Sequence, residues 1–600
     1  MAVNPVVICL NRAGEATAHR IAEHLGVQVH GRKDRVDQAA VFFPNALDHV
    51  RMLFQAGTPV IGVCASGILI RAVAPVLADK TVEPPVLSVS DDGSVIVPLL
   101  GGHRGANRFA RDLTDVLGGV AAVTTAGDVA LGVALDEPPA GYALANPEAA
   151  KDVMARLLSG GGARIHGGEP APEGWLDGLD AGDAVSIEVT MARARDADLT
   201  FHPKRATLGV GCSRNCPPEE LIGLVDEILA DAGLSPLSLA GIFTVDVKAD
   251  EPAMHALAAH LGLPLRFFAA EALEAETPRA QTRSDVVFVE IGTHGVAENA
   301  ALAGGGAEAS VWYPKRKTAM ATAALCQAPR PITELRGRGA GKLSIVGIGP
   351  GQHSWRTPEA SQLVAEAEEL VGYGLYIDLL GPLAAGKTRS DFPLGGEEDR
   401  CRYALERAGE GRNVALICSG DAGIYAMGAL VFELLDRDSH GVSDAARRVD
   451  VVSAPGVSAL QAAAARAGAP LGHDFCAISL SDLLTPREDI IKRLNAAAEG
   501  DFVIAFYNPV SKRRRTLLAE ARQILLQHRP ADTPVLLASS LGRPEEELRY
   551  RRLEDLEVDE VDMLTVVLVG SSQSRLANLG RGARMYTPRG YARKIDGDLA

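Results

Sequence analysis

Residues 342–351 read KLSIVGIGPG, and this stretch indicates the fold class of the second half of the chain. Its apolar start is typical of a buried strand, and the glycines that follow let the backbone approach a ligand closely. A dinucleotide-binding loop has the spacing G-x-G-x-x-G, but Gln352 stands where the third glycine belongs. A nicotinamide oxidoreductase is the alternative interpretation of this half, and the missing third glycine argues against it.

The same order of strand and helix recurs along the chain. Short runs rich in valine and isoleucine precede helical segments, as in PVIGVCA at residues 59–65, ATLGVGC at 206–212 and VALICSG at 414–420. The last of these runs precedes a helix predicted over residues 423–435. Such alternation predicts an α/β protein with several domains and largely parallel sheets.

Composition excludes several classes of protein. The 600 residues are 47% hydrophobic and 23% charged, which is the mix of a multidomain globular protein. A net charge of −16 disfavours a nucleic-acid partner, because such proteins need a basic face. The eight cysteines include no CxxC pair, and the apolar run at residues 59–70 is too short to span a membrane. We therefore expect a cytoplasmic protein with no metal site and no nucleic-acid or membrane partner.

Weakly patterned stretches mark the predicted domain boundaries. Residues 328–341, APRPITELRGRGAG, combine prolines and glycines ahead of a new strand and predict a linker. The predicted segments are an α/β domain over 1–130, a middle region over 131–204, an α/β domain over 205–327, the linker over 328–341, a further α/β domain over 342–575 and a tail over 576–600.

Four motifs after the linker carry a family resemblance. In order, they are KLSIVGIGPG (342–351), SGDAGIYAMG (419–428), SAPGVSA (453–459) and FVIAFYNP (502–509). Together they make residues 342–575 resemble the tetrapyrrole methyltransferases, the S-adenosylmethionine enzymes of corrin and sirohaem synthesis. Within that family, YNPVSKRR and SLGRPEE (540–546) are most similar to the precorrin-3B C17-methyltransferases.

The resemblance implies a two-subdomain α/β fold with S-adenosyl-L-methionine in a cleft between the subdomains. It also implies C17 methylation and ring contraction of precorrin-3B or cobalt-precorrin-3. An alternative stays open for each of two residues. Asp421 is then the cap of the helix predicted over residues 423–435, and Tyr425 is then a plain core residue. The cofactor contacts that the resemblance implies are Gly349, Pro350, Gly351, Gly420, Asp421, Ile424, Tyr425, Ser458, Ala459 and Asn508.

Residues 512–515, KRRR, form the strongest basic run in this acidic sequence. The substrate that the resemblance implies is a polycarboxylate macrocycle, and arginine can bind a carboxylate through two parallel hydrogen bonds. Lys512 and Arg515 are therefore predicted substrate contacts, and a helix that begins after Pro509 would place both on one face. A solvated surface is the alternative.

A second set of motifs lies between residues 40 and 325. It comprises CASGI (64–68), PLLGGHRGAN (98–107), TTA (124–126), LGVGCSR (208–214), TVDVKADEP (244–252) and GTHGVAE (292–298). This ordered set resembles the cobalt-precorrin-5A hydrolase family. The resemblance implies α/β domains that open the lactone on ring A and release acetaldehyde.

Lactone opening needs a base, a nucleophile and stabilisation of an oxyanion. His103 in its glycine-rich loop is the predicted base, and Cys64 at a strand end is the predicted nucleophile. A hydrogen-bonding loop histidine and a small buried apolar residue are the respective alternatives. Arg214 and Lys248 are predicted contacts of substrate carboxylates.

The sequence therefore predicts a bifunctional enzyme of cobalamin biosynthesis that binds a tetrapyrrole (precorrin) substrate. The expected protein partners are other corrin-pathway enzymes and a second copy of the chain, bound through the methyltransferase domain. One alternative makes the first half a non-catalytic module that binds corrinoid intermediates, with the methyltransferase as the active part. Release of acetaldehyde distinguishes these two interpretations.

Overall fold

The computed structural model describes residues 4–79, 82–124, 131–193, 196–511, 515–580 and 582–595, with the backbone alone at 103, 592 and 593. Six sheets flanked by helices make up this described part, which confirms the α/β fold class. The chain divides into two compact units. The first comprises Met1–Leu343, Leu405–Val414 and Val442–Val451, and the second comprises Ser344–Ala404, Ala415–Gly441 and Val452–Ala600.

The first sheet lies at the start of the chain. Its strands are β1 (Val6–Cys9), β2 (Val29–Arg32), β3 (Val41–Phe43), β4 (Val60–Val63), β5 (Val86–Val89), β6 (Val95–Leu100) and β7 (Val120–Ala121). Its helices are α1 (Glu15–Leu25), α2 (Ala46–Gln55), α3 (Ser66–Val73) and α4 (Ala106–Leu117). The strand order is β3-β2-β1-β4-β5-β6-β7, and the first five strands run parallel. Their carboxyl ends therefore share one edge.

Helices cover both faces of this sheet. Val7 and Cys9 of β1 belong to the core formed with α1 and α4, whereas Val6 and Ile8 belong to the core formed with α2 and α3. Successive strand side chains point to opposite faces, so the continuous apolar run of β1 is buried on both sides.

Two histidines are buried against each other between β2 and α2. His30 Nδ1 lies 2.9 Å from His49 Nε2, and the ring of His49 stacks on Phe43. Burial lowers the pKa of His30 to about 4 and that of His49 to about 3, because a charged imidazole loses its hydration there. Both rings are therefore neutral at pH 7.

We expect this domain to lose stability as the pH falls from 6.5 towards 4. An unfolded histidine binds a proton near pH 6.5, whereas His30 in the folded domain binds one only near pH 4. The unfolded state thus binds more protons in this window, which favours unfolding at pH 4 by about 3 kcal/mol from His30 alone. Hydrogen exchange of the amides in β1, β2 and β4, corrected for intrinsic rates, measures the change. A double variant, His30→Leu with His49→Phe, should lose most of the pH dependence; an unchanged dependence would contradict the assignment.

Two further sheets follow in the first unit. The second sheet contains β8 (Tyr142–Leu144), β9 (Ala163–His166), β10 (Val185–Val189) and β11 (Leu199–Pro203), with helix α5 (Ala150–Leu158). The third sheet contains β12 (Ala206–Cys212), β13 (Leu239–Val245), β14 (Leu265–Phe268), β15 (Ser310–Lys317) and β16 (Ala321–Gln327), in the order β14-β13-β12-β16-β15. Its helices are α6 (Pro218–Asp231), α7 (Pro252–Leu261), α8 (Ala270–Glu274), α9 (Asp285–Ile291) and α10 (Ala297–Gly305).

The segment predicted as a linker makes backbone hydrogen bonds to the third sheet. Phe267 N–H donates to Arg338 O at 2.9 Å, and Arg338 N–H donates to Phe267 O at 3.0 Å. This pair extends the sheet beyond β14 by one short bridge. The predicted domain boundaries themselves stay predictions.

The fourth sheet begins with the stretch KLSIVG. Its strands are β17 (Lys342–Gly347), β18 (Glu369–Tyr373), β19 (Thr388–Phe392), β20 (Asn413–Cys418) and β21 (Asp450–Ala454), in the order β19-β18-β20-β17-β21. Its helices are α11 (Pro358–Glu366), α12 (Gly374–Asp378), α13 (Glu397–Gly409) and α14 (Gly428–Asp436). Strands β17 and β20 are neighbours, so the glycine loops that follow them meet.

The remaining strands form two sheets. They are β22 (Gly468–Ala469), β23 (Phe475–Ser479), β24 (Val503–Tyr507), β25 (Pro534–Ser539), β26 (Glu547–Arg552), β27 (Thr565–Val569), β28 (Arg575–Leu579) and β29 (Gly582–Tyr586), with helices α15 (Ala459–Ala467), α16 (Arg487–Glu499), α17 (Thr516–Leu526) and α18 (Tyr591–Ile595). One sheet has the order β23-β24-β27-β25-β26, and the other has the order β22-β29-β28. The segment predicted as a tail thus contains strand β29, whose Met585 is fully buried.

No helix within the described ranges is both long and apolar enough to cross a lipid bilayer.

Candidate functional site

The glycine loops after β17 and β20 are joined by hydrogen bonds. Gly420 N–H donates to Gly349 O at 2.9 Å, and Gly349 N–H donates to Gly420 O at 3.1 Å. Both residues have a positive φ, +76° at Gly349 and +71° at Gly420. This left-handed conformation favours glycine, because a Cβ would be strained there. Two of the predicted cofactor loops are therefore joined directly through their backbones.

Asp421 binds two loops with one carboxylate. Its Oδ1 accepts a hydrogen bond from Gly423 N–H at 2.8 Å, and its Oδ2 accepts one from Gly456 N–H at 3.0 Å. The alternative in which Asp421 caps the helix predicted over 423–435 is wrong, because that helix begins at Gly428 and Met427 is its N-cap. Asp421 instead stabilises the turn that precedes the helix.

Ser458 and Ala459 form the start of helix α15. The Ser458 hydroxyl accepts a hydrogen bond from Gln461 N–H, while the Gln461 side chain accepts one from Ser458 N–H at 2.8 Å. This reciprocal capping box leaves Ser458 only 2% exposed. The Ser458 backbone lies 3.8 Å from the place where a Cβ on Gly420 would project. Ser458 thus positions the helix start beside the glycine loops.

Ile424 and Tyr425 present apolar surface beside these loops. They are 38% and 51% exposed, so the alternative in which Tyr425 is a plain core residue is wrong. The Tyr425 hydroxyl donates to Ala477 O at 2.8 Å, although its backbone has a φ of +49°. A non-glycine residue in that conformation costs roughly 1–3 kcal/mol, and such residues cluster at functional sites.

Tyr507 occupies a position that the sequence reasoning did not assign. Its hydroxyl accepts a hydrogen bond from Leu460 N–H at 3.0 Å, and its ring centroid lies 5.2 Å from that of Tyr425. The next residue, Asn508, has a φ of +49° and donates from Nδ2 to Ser479 Oγ at 3.2 Å. The signal was present in the sequence, because Tyr507 is the first residue of the YNP motif.

Pro350 and Gly351 contact the SLGRPEE segment. Arg543 Nε donates to Pro350 O at 3.2 Å. A Cβ on Gly351 would lie 2.5 Å from Leu541 O, so this close approach requires glycine. Arg543 is a second contact that the sequence reasoning missed, although the segment that contains it was part of the resemblance.

The basic run is described only at its last residue. Lys512, Arg513 and Arg514 lie outside the described residues. Arg515 Nη2 donates to Asp559 Oδ1 at 2.7 Å. The helix predicted after Pro509 begins at Thr516 instead, because Arg515 has a non-helical φ of −128° with its guanidinium bound to Asp559. The prediction of one helix that contains both residues 512 and 515 is therefore wrong, and their contact with substrate stays a prediction.

Cys64 lies at the end of β4 and lines a cavity of about 260 Å³. The residue is 7% exposed, and Ser88 Oγ donates to its carbonyl oxygen at 2.7 Å. Burial raises the pKa of the thiol to about 12, so the thiol is protonated at pH 7. This favours the small buried residue over the nucleophile. Ser66, Ser90 and Asp91 also line the cavity.

We expect iodoacetamide at pH 8 to alkylate Cys64 about a thousandfold more slowly than an unfolded cysteine. A pKa of about 12, against about 8.5 for a free cysteine, lowers the thiolate fraction by this factor. Peptide mass spectrometry after timed alkylation measures the rate, and the same peptide from the urea-unfolded chain is the control. Equal rates would indicate a thiolate and would favour the nucleophile.

Arg214 and Lys248 meet at a buried carboxylate that the sequence reasoning did not assign. Glu251 is 1% exposed, and its Oε2 lies 3.6 Å from Arg214 Nη1 and 3.8 Å from Lys248 Nζ. Arg214 also donates to Asp250 Oδ1 at 2.6 Å and to Val247 O at 2.7 Å. The fold thus brings the two predicted contacts together but binds them to the TVDVKADEP motif. Their binding of substrate carboxylates stays a prediction.

His103 lies in the short turn Gly102–Arg104, between two glycines with positive φ. Its side chain is outside the described part of the structure, so its role as a base stays a prediction. Across the described residues, no group of three or more His, Cys, Asp or Glu side chains is arranged to hold a metal ion.

Three family matches follow one another along the chain. Residues 48–128 match Cobalamin synthesis G N-terminal, residues 206–326 match Cobalamin synthesis G C-terminus, and residues 342–557 match Tetrapyrrole (Corrin/Porphyrin) Methylases. Their order is the order of the two motif sets. Both resemblances inferred from the residues are confirmed.

Individual proteins resemble the last part of the chain. A precorrin-3B C(17)-methyltransferase of Sinorhizobium sp is 44% identical over 253 residues, which cover 42% of this chain and 98% of that protein. A probable cobalt-factor III C(17)-methyltransferase of Salmonella typhimurium is 45% identical over 249 residues, which cover 42% of this chain and 99% of that protein. The crystal structure of the methyltransferase CobJ is 40% identical and covers 42% of this chain and 100% of its own, with a TM-score of 0.38.

Proposed function

We propose, from the premise that this chain belongs to the tetrapyrrole (corrin/porphyrin) methylase family, that it methylates C17 of a precorrin and contracts the ring. Two cobalamin synthesis G regions precede that domain. The proposed activity of these regions is hydrolysis of the cobalt-precorrin-5A lactone with release of acetaldehyde. The chain is then a bifunctional enzyme of cobalamin biosynthesis.

One chain of hydrogen bonds supports the methyltransferase activity. Segments in or directly beside all four motifs of the second half are bonded in succession, although more than 150 residues separate the first from the last. A site assembled from distant loops is typical of a cofactor cleft in an α/β protein. The bonds join Gly349 to Gly420, Asp421 to Gly456 and Leu460 to Tyr507.

S-adenosyl-L-methionine fits the groups at this site. Gly349 and Gly420 are buried and join their loops through backbone hydrogen bonds, and beside them Ile424 and Tyr425 offer exposed apolar surface for an adenine ring. When bound, the cofactor supplies an activated methyl group. The residues of the chain then have to hold the ring carbon in line with that methyl group and exclude water.

Product analysis tests the methyltransferase activity. The full chain is incubated with S-adenosyl-L-methionine and either precorrin-3B or cobalt-precorrin-3, and the products are measured by mass spectrometry. Gain of one methyl group by either macrocycle supports the proposal, and the preferred macrocycle shows whether cobalt is in the substrate ring. Failure with both macrocycles, in a chain that binds S-adenosylhomocysteine by calorimetry, would refute it. Stabilisation by NAD and not by S-adenosylhomocysteine in a thermal-shift assay would favour the oxidoreductase instead.

The two family matches support hydrolysis by the first half. Acetaldehyde released from cobalt-precorrin-5A by the full chain is measured with a coupled alcohol dehydrogenase. Release at a rate above the enzyme-free control supports the proposal. Binding of the macrocycle without release would favour the non-catalytic module.

The proposed assembly is a homodimer formed through the methyltransferase domain, with contacts to other enzymes of the corrin pathway. Labile intermediates favour such contacts, because direct transfer shortens their exposure to solvent. Light scattering during size-exclusion chromatography measures the mass of the assembly against the 62.9 kDa of one chain. A monomer at all concentrations tested would refute the homodimer.

A further inference from the structure

A second cavity in the first domain has a volume of about 500 Å³. It lies at the carboxyl edge of the first sheet, beside the point between β1 and β4 where the strand order reverses. Open parallel sheets bind their ligands at such reversal points. Leu10, Pro44 and Ile68 contribute apolar surface to the cavity.

Three arginines, Arg32, Arg35 and Arg71, also line this cavity. Arg32 ends strand β2, Arg35 lies in the loop after it, and Arg71 lies in α3, where its Nη1 donates to Gly67 O at 3.0 Å. The end of one strand, the loop directly after it and a helix later in the chain thus place guanidinium groups around one concave surface.

None of the three arginines forms an ion pair with any residue that the structure describes. Two nearby carboxylates are bound elsewhere, since Asp37 pairs with Arg12 at 2.8 Å and Asp48 pairs with Arg51 at 3.2 Å. Asp34 lies in the same loop as Arg35 but does not line the cavity. The cavity therefore concentrates uncompensated positive charge in a chain whose net charge is −16.

The shape and charge of this cavity define a class of ligand. Like charges that lie close together repel one another, and a bound anion relieves that repulsion. Guanidinium groups bind carboxylates through two parallel hydrogen bonds, and the apolar lining suits a hydrophobic ring system. A macrocycle with carboxylates at its margin has both features.

We propose that Arg32, Arg35 and Arg71 form a binding site for the marginal carboxylates of the macrocyclic substrate of the first half. This inference rests on the proposed function of that half. Arg32 and Arg35 precede residue 48, where the family match begins, so the match does not include them. The cavity also adjoins the one at Cys64, because Ser66 and Ile68 in the first turn of α3 line one cavity each.

Arginine modification of the full chain tests this site. Phenylglyoxal modifies accessible guanidinium groups, and peptide mass spectrometry gives the rate at each arginine. The probes are uroporphyrin, which carries eight carboxylates, coproporphyrin, which carries four, and inorganic pyrophosphate. Because rates are resolved by peptide, binding of a probe to the methyltransferase half does not obscure the result. Arg20 in α1, on the opposite face of the sheet, is the internal control.

We expect saturating uroporphyrin to slow modification of Arg32, Arg35 and Arg71 about tenfold and to leave Arg20 unchanged. Coproporphyrin should protect less, and added salt should weaken the protection. Arg71→Gln should reduce the protection of Arg32 and Arg35, whereas Arg20→Gln, with the same change of charge, should not. Absence of protection at all three arginines would overturn the proposal. Equal protection by pyrophosphate would overturn the assignment to a carboxylate macrocycle.

A kinetic measurement separates this site from the activity itself. If the chain releases acetaldehyde, Arg71→Gln should raise KM about tenfold with kcat unchanged, and Arg20→Gln should change neither. An unchanged KM in Arg71→Gln would overturn the site while the hydrolase proposal stands. Protection of the arginines without any release of acetaldehyde would support the site and refute hydrolysis.

Discussion

Replacing Gly456 with alanine is expected to lower kcat for methyl transfer about a hundredfold, because misplacement of a site by about 1 Å has an effect of that size. A Cβ at this position would lie 2.1 Å from Gly420 O and 3.0 Å from Gly347 Cα, which is closer than real atoms approach. The loop that carries Gly456 must therefore move away from the joined glycine loops. Methyl transfer to precorrin-3B, together with calorimetry of S-adenosylhomocysteine, measures the loss.

Gly396→Ala is the matched control for this variant. The nearest atom to a Cβ at Gly396 is Pro393 O at 3.4 Å, an ordinary contact, and the residue has no positive φ. We expect its kcat and its melting temperature to equal those of the parent chain. If Gly456→Ala also retained the parental kcat, the close approach of these loops would have no part in forming the site.

The second large effect is expected from Asp421→Ala. This substitution removes both acceptors that join Gly423 N–H to Gly456 N–H. A hydrogen bond to a charged group contributes about 1.5–3 kcal/mol, so loss of the pair should raise the dissociation constant of S-adenosylhomocysteine at least about tenfold. Calorimetry on the folded variant measures this constant.

Asp421→Asn provides a graded comparison. Its amide oxygen retains one acceptor, so we expect an affinity between that of the parent chain and that of the alanine variant. Thermal melting of both variants monitors the fold separately. A large fall in melting temperature with unchanged affinity would assign Asp421 to fold stability alone.

Local patterns in the sequence were sufficient for two of the strands that form the fourth sheet. KLSIVG and VALIC alternate with helical segments, and both form buried strands, β17 and β20. The same patterns placed helix starts less well. The helix predicted from residue 423 begins at Gly428, because Asp421 and Gly423 form a turn and Gly428 N–H donates to Ala422 O. The apolar residues before a helix start do not reveal such side-chain-to-backbone bonds.

The roles of individual residues depended more strongly than the strands did on contacts between residues that are far apart in the chain. Cys64 follows a strand in a way that is compatible with a nucleophile, but its burial and its raised pKa come from neighbours in three dimensions. The sequence alone does not single out Glu251, because a single glutamate in a charged motif is ordinary. It becomes notable only when the fold places it at 1% exposure beside Arg214 and Lys248.

The sequence by itself determined the α/β class, the order of the two families and the glycines at the loops after β17 and β20. It could do so because strand and helix periodicity and motif order are local properties of the chain. Only the tertiary structure decided that Asp421 binds Gly456, that Tyr507 binds the start of α15, and that three arginines with no ion pair to any described residue line one cavity. The physical reason is that strand order places loops side by side, and that order is set by packing of the whole sheet and not by any one segment.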